Sequence, residues 1–293
     1  MLAVLAGSLA AACRYSPDPG GARFACDSLT PCPDGVTCID GYCQAASEPV
    51  DAADSGGEPD AGGEVNAPLA WKAHAAGKVD NGLLDSVDTA EPLSGQPDDL
   101  YLAFISTKPA RVIESVTGLG LDWHALRQQC SGRSTASLAL YWARSPDAAQ
   151  PGKVIATMTL DPAQGSALLS VHRYAGADPA NPIGNLSYAN SNGSDDEAGC
   201  DGGIDSLSYS WSTIDTGAPG SFVVSGAHTS NYDSHIAGDA FTERSDEQSG
   251  STSLSAGVAV QDRKVLAAQN DVRVNGSWLD APDWAVIAVE LRD

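Results

Sequence analysis

Positive charge is scarce in this sequence: 16 Lys and Arg stand against 38 Asp and Glu, a formal net charge of −22. A chain so acidic repels a phosphate backbone, which excludes nucleic acid as its main partner. It has no run of about 18 consecutive apolar residues, which excludes a membrane-spanning helix. It carries no Gly-x-Ser-x-Gly elbow, no Ser-x-x-Lys with partner motifs, no phosphate loop and no dinucleotide fingerprint. The enzyme classes with local signatures therefore lose support, and a non-enzymatic binding or structural role is expected. A secreted hydrolase stays as an alternative, because a Ser–His–Asp set drawn from distant strands, or a glycosidase's carboxylate pair, leaves no local trace.

Residues 1–12 read MLAVLAGSLAAA, an apolar stretch too short to cross a bilayer and of the length of a secretory signal peptide. Residues 13–43 hold Cys26, Cys32, Cys38 and Cys43 in CDSLTPCPDGVTCIDGYC and have almost no apolar side chains for a core. So small a segment needs staples, and outside the cytoplasm four close cysteines read as two disulfides in one of three connectivities. A four-cysteine zinc site is the alternative, although zinc ribbons prefer tighter pairs. Residues 44–66 contain six acids, no Lys or Arg and no aromatic residue. Such a segment cannot offset its ordering entropy by burial, so a disordered acidic linker is expected.

Residues 67–293 hold all six tryptophans and alternate with period two. Leu138, Leu140 and Trp142 share one face of a predicted strand. Val154, Ala156, Met158 and Leu160 share another, as do Leu254, Ala256, Val258 and Val260, and Ala285, Ile287, Val289 and Leu291. Leu207, Tyr209 and Trp211 alternate with serines, and Leu100–Ser106 is apolar on both faces, as a central strand would be. Clusters of Gly, Pro, Asn and Asp separate the runs. The reading is all-β: two packed antiparallel sheets, a β-sandwich of jelly-roll or immunoglobulin-like kind.

Two resemblances add to this. Ala10-Ala11-Ala12 followed at once by Cys13 resembles the lipobox of bacterial lipoproteins. That resemblance implies cleavage before Cys13, a lipid on its thiol and, with Arg14 next, an outer-membrane lipoprotein facing the periplasm or the cell surface. Gly41-Tyr42-Cys43 is similar to the ends of small Cys-rich segments that follow such anchors in secreted bacterial proteins. GLGLDWH (118–124), RYAGADPANPIG (173–184), FTERSD (241–246) and WAVIAVELR (284–292) together resemble an extracellular bacterial β-sandwich module, similar to modules of large secreted proteins and phage tail fibres. This implies an architecture and no catalytic residue. With Cys13 lipidated and four cysteines in the small segment, Cys130 and Cys200 remain. They are expected either to form a disulfide or to be buried free thiols.

The candidate sites are few. The loop NSNGSDDEAGCDGGID (190–205) crowds Asp195, Asp196, Glu197 and Asp201 among glycines, a composition that suits calcium or a solvated acidic turn. It is also the expected binding edge of the sandwich. His228, Asp233 and His235 could serve a metal or acid–base chemistry, but their spacing matches no signature and a surface loop is expected. Trp123 and Trp284 are expected as core anchors. Trp211, Tyr209 and Trp278 are possible stacking platforms for a glycan, so a lectin-like module, with or without calcium, is the second functional reading, beside an envelope-protein partner.

Overall fold

The computed structural model describes residues 36–39, 42–45, 68–160, 163–195, 198–231 and 233–293. Cys13, Cys26, Cys32 and the acidic linker lie outside them. Strands β1 (Val36–Ile39) and β2 (Tyr42–Ala45) form an antiparallel hairpin whose register sets Cys38 opposite Cys43.

The large domain is all-β, and no α-helix occurs among the described residues. Its first half consists of β3 (Ala70–Leu83), β4 (Ser86–Asp88), β5 (Leu100–Lys108), β6 (Ile113–Gly118), β7 (Trp123–Cys130), β8 (Ser137–Arg144), β9 (Val154–Met158) and β10 (Gln164–Ala175). Its second half consists of β11 (Ile183–Asn190), β12 (Gly193–Ser194), β13 (Ser208–Ile214), β14 (Phe222–Thr229), β15 (His235–Ala237), β16 (Thr242–Ser249), β17 (Ala256–Lys264), β18 (Val272–Trp278) and β19 (Trp284–Leu291).

The two halves repeat one topology. The first forms a sheet β3-β10-β5-β8-β7 and a smaller one β4-β9-β6. The second forms β11-β19-β14-β17-β16, extended by the short β12, and β13-β18-β15. Leaving β12 aside, each strand of one half has a counterpart of the same rank in the other. Within each half the order is first-eighth-third-sixth-fifth and second-seventh-fourth, the jelly-roll arrangement with its fifth strand on the larger sheet. A turn sequence recurs with the topology: Ser131-Gly132-Arg133-Ser134-Thr135 leaves β7, and Ser249-Gly250-Ser251-Thr252-Ser253 leaves β16.

The large sheets of the two repeats pack face to face, and each small sheet covers the outer face of its own large one. Three apolar layers result. Tyr101, Ile105, Val154 and Leu169 fill the first repeat; Leu102, Phe104, Val224 and Ile287 fill the joint; Val223, Val274, Trp278 and Trp284 fill the second. This is why β5, β14 and β19 are apolar on both faces: each lies in a sheet covered on both sides. The sandwich read from the alternation is present, with small sheets added outside it. Leu160, expected beside Met158, lies past the end of β9 and is exposed.

Packing at the joint is close enough to test. A Cβ on Gly226 would come within 2.2 Å of the Phe104 ring. Gly226→Ala is expected to destabilise the domain by about 1–3 kcal/mol through overpacking, measured by urea denaturation. A change near zero would mean that the two sheets slide apart freely.

Polar groups also cross the joint. Tyr174 donates to Asp262 Oδ2 at 3.0 Å, and Arg244 grips Asp262 with two bonds of 2.8 Å. Asp283, just before β19, accepts from the Arg133 amide and Thr135 Oγ1 in the first repeat's turn, each at 3.2 Å. Reciprocally, Asp80 in β3 accepts from the Gly250 amide at 2.7 Å and Ser249 Oγ at 2.9 Å in the second repeat's turn.

Candidate functional site

The expected sites are distributed as follows. Cys130 and Cys200 form a disulfide, with their Cα atoms 5.7 Å apart. The bridge ties the end of β7 to the loop after β12 and so links the two repeats. Asparagine amides hold the same loop: Asn190 Nδ2 donates to Gly199 O at 2.7 Å, and Asn192 Nδ2 to Gly132 O at 2.9 Å. Arg133 pairs with Asp205 at 2.6 Å. The segment expected as a binding edge is held as a clamp between the repeats.

Of the expected calcium ligands, Asp196 and Glu197 lie outside the described residues. Asp195 turns its carboxylate onto Ser187 Oγ and the Tyr188 amide, both at 3.3 Å, while Asp201 is exposed on the loop. No group of three or more His, Cys, Asp or Glu arranged for a metal occurs among the described residues.

The expectation of a surface loop for His228, Asp233 and His235 fails: all three are buried. They do not converge. Asp233 accepts the Leu279 and Asp280 amides. His235 sits among Tyr209, Trp278 and Glu243; Nδ1 is 2.7 Å from Glu243 and Nε2 is 2.9 Å from the Tyr209 hydroxyl. Burial pushes that hydroxyl's pKa far up, and the Glu243 charge adds to it. His228 lies in the joint, with Nδ1 2.6 Å from Ser106 Oγ and 3.2 Å from Gly257 O. Ser106 Oγ itself donates to Gly257 O at 3.0 Å. These partners place the ring proton on Nδ1. The pair has the composition of a nucleophile and its base, but both residues are fully buried between two sheets, where it staples strands.

The aromatic platforms are corrected as well. Tyr209 and Trp278 are packed in the second repeat's core and offer no face to a sugar; the Trp211 side chain is outside the described set. Trp284 is fully buried, and Trp123 is partly buried against the first repeat's core, as core anchors should be.

The open chemistry lies elsewhere, at the end of the first repeat where β10 runs out into RYAGADP. A cleft of about 380 Å³ is lined by Lys72 and Arg173, by Asp98 and Asp99, and by Gln96 and Pro179. Lys72 occupies the irregular position between β3 and β10 where the register shifts beside Arg173 and Tyr174. A bulge re-aims a side chain, and here it places a lysine at the rim. Arg173 donates to Ser94 O and lies 3.5 Å from Asp99, which is buried and accepts the Gln96 amide at 2.8 Å. Arg173 Nε is buried without a hydrogen-bond partner. Beside these two residues the Tyr101 hydroxyl is buried; burial, then the Asp99 charge, pushes its pKa up to about 12, against the opposing charge and hydrogen bond of Arg173. Asp98, held at φ 66°, pairs with Arg144, which donates to Pro179 O at 2.6 Å and so fixes the opposite wall. Gly176, at φ 81°, makes the turn beneath.

Sequence reasoning passed over this site. Its signal was a basic residue, Arg173, at the end of the strand-like stretch Ala167-Leu168-Leu169-Ser170-Val171, in a chain that has few basic residues. The cleft gathers two basic and two acidic side chains with further hydrogen-bonding groups, which equips it to bind. No protein-family model, curated protein or solved structure matches the chain.

Proposed function

We propose that the protein is an exported, lipid-anchored module of the bacterial cell envelope, held through Cys13, whose double jelly roll binds an extracellular partner without chemical turnover. The observation that carries this reading is the cleft beside Arg173. It joins an unpartnered buried donor to a rim of charged side chains, on strands fixed by two cores. Concave sites with a few convergent polar groups on a rigid frame are the usual form of a recognition site. A disulfide between the repeats suits the oxidising compartment that a signal peptide would lead to.

The test is a binding screen of the full chain, purified with its disulfides intact, against arrays of glycans and of envelope-derived peptides. Gln96 is exposed at the cleft mouth, and Gln96→Trp fills that mouth without touching either core. At least one ligand is expected, with its binding lost in Gln96→Trp while the thermal midpoint stays unchanged. Silence on every array, or a ligand indifferent to Gln96→Trp, rejects the reading.

A further inference from the structure

The second repeat contains the counterpart of the cleft and shows what closes it. Tyr174 pairs with Leu100 at the start of β5, and Leu291 pairs with Phe222 at the start of β14. Arg173 of the first repeat therefore corresponds to Glu290 of the second, and Asp99 to Ser221. The bulge carrying Lys72 corresponds to the irregularity at Gly184 and Asn185 in β11.

At Glu290 the site is shut from within. Its carboxylate accepts from the Gly217 amide at 2.7 Å, Ser221 Oγ at 3.0 Å and the Asn185 amide at 3.2 Å. A Cβ on Gly184 would come within 2.0 Å of it, so no room is left. At Arg173 the charge is reversed and the site is open. Asp99 answers one guanidinium nitrogen from 3.5 Å while also holding the Gln96 amide. Arg173 Nε is left unpartnered, and Lys72 forms no ion pair among the described residues.

We propose that the first repeat takes from outside the carboxylate that the second repeat supplies from within: the cleft binds a carboxylated saccharide, a uronic-acid unit of an extracellular glycan. This rests on the binding reading above and names its ligand class. Lys72 Nζ and the exposed part of the Arg173 side chain, 20 % open to solvent, receive the carboxylate, an arrangement in which charge-assisted hydrogen bonds are strong. Asp98 and Gln96 line the same cleft and accept sugar hydroxyls. Pro97, Ala177 and Pro179 line the remainder with small apolar surfaces suited to the C–H faces of a ring. A cleft of about 380 Å³ is of the size that holds a small ligand.

The test is calorimetric titration of the full oxidised chain with a galacturonate or glucuronate oligosaccharide and with the same oligosaccharide after its carboxyl groups are reduced to alcohols. Binding of the uronate is expected. The reduced ligand and the Lys72→Gln variant should each bind about tenfold more weakly, and added salt should weaken the uronate complex. Lys72 is exposed and outside both cores, so Lys72→Gln should leave the thermal midpoint in place. Equal affinity for the reduced sugar, or indifference to Lys72→Gln, overturns the inference. So does binding confined to neutral glycans or acidic peptides, but that outcome leaves the binding module standing. If no ligand of any class binds, both fall.

Discussion

Replacing Cys130 and Cys200 together by alanine is expected to lower the stability of the large domain by about 4 kcal/mol, the chain-entropy value for a closed loop of this size. The two cysteines are 70 residues apart in sequence and belong to different repeats. Their bond therefore restrains the unfolded chain over a long loop and, in the folded protein, secures the 198–201 segment against the end of β7. The double alanine variant is the right probe, because it removes this bond alone and leaves every other cysteine of the chain unchanged. Urea denaturation followed by tryptophan fluorescence should show an earlier midpoint. A variant as stable as the parent would mean that the asparagine amides of Asn190 and Asn192, with the joint between the sheets, hold the clamp without the bond. The size of the effect also bears on the acidic loop. A free binding edge would tolerate loss of its anchor, whereas a clamp would not.

Acid should destabilise the joint by a comparable amount. Burial pushes His228 down to about 4 from its ordinary 6.5; Asp283 and the Gly257 carbonyl oppose that shift, and Lys108 adds to it. A histidine whose folded pKa is depressed takes up its proton first in the unfolded chain. Its contribution is intact above pH 6.5, falls as pH drops, and is spent near pH 4. The loss is roughly 2 kcal/mol by pH 5 and roughly 3 kcal/mol at the end of the window. His172 has the same sign, lowered chiefly by burial and further by the neighbouring His74 and Arg244; His74 is lowered by burial despite Glu247. Relief of the overall negative charge acts in the opposite direction over the same pH range. The decisive measurement is therefore a difference: the thermal midpoint of the parent should fall more steeply between pH 7 and pH 5 than that of His228→Gln. Parallel slopes would show that the ring is not sealed as neutral.

Both effects reside where the repeats meet, and that junction was hard to read from the sequence. Individual strands were legible. Ala285, Ile287, Val289 and Leu291 do share the face turned to the joint, and Val154, Ala156 and Met158 do share the face turned to β5 and β10. The doubling left one visible trace, the recurring Ser-Gly-…-Ser-Thr turn. It is too short to separate from the many serine- and glycine-rich turns of the chain. The cleft was legible only as charges within apolar strands, Arg173 in β10 and Glu290 in β19. Their opposite fates became apparent once the two strands were seen to be counterparts.

The sequence alone determined the strand class and the positions of several strands, and it singled out Cys130 and Cys200 as either a disulfide or two free thiols, a choice the tertiary structure made. Alternation and turn chemistry are local properties, carried by residues a few positions apart. Tertiary structure decided how many sheets stack, which histidines are sealed and where an arginine borders an open cleft. Each of these depends on what covers a face from a hundred residues away, and a strand has the same period whether water or another sheet lies against it.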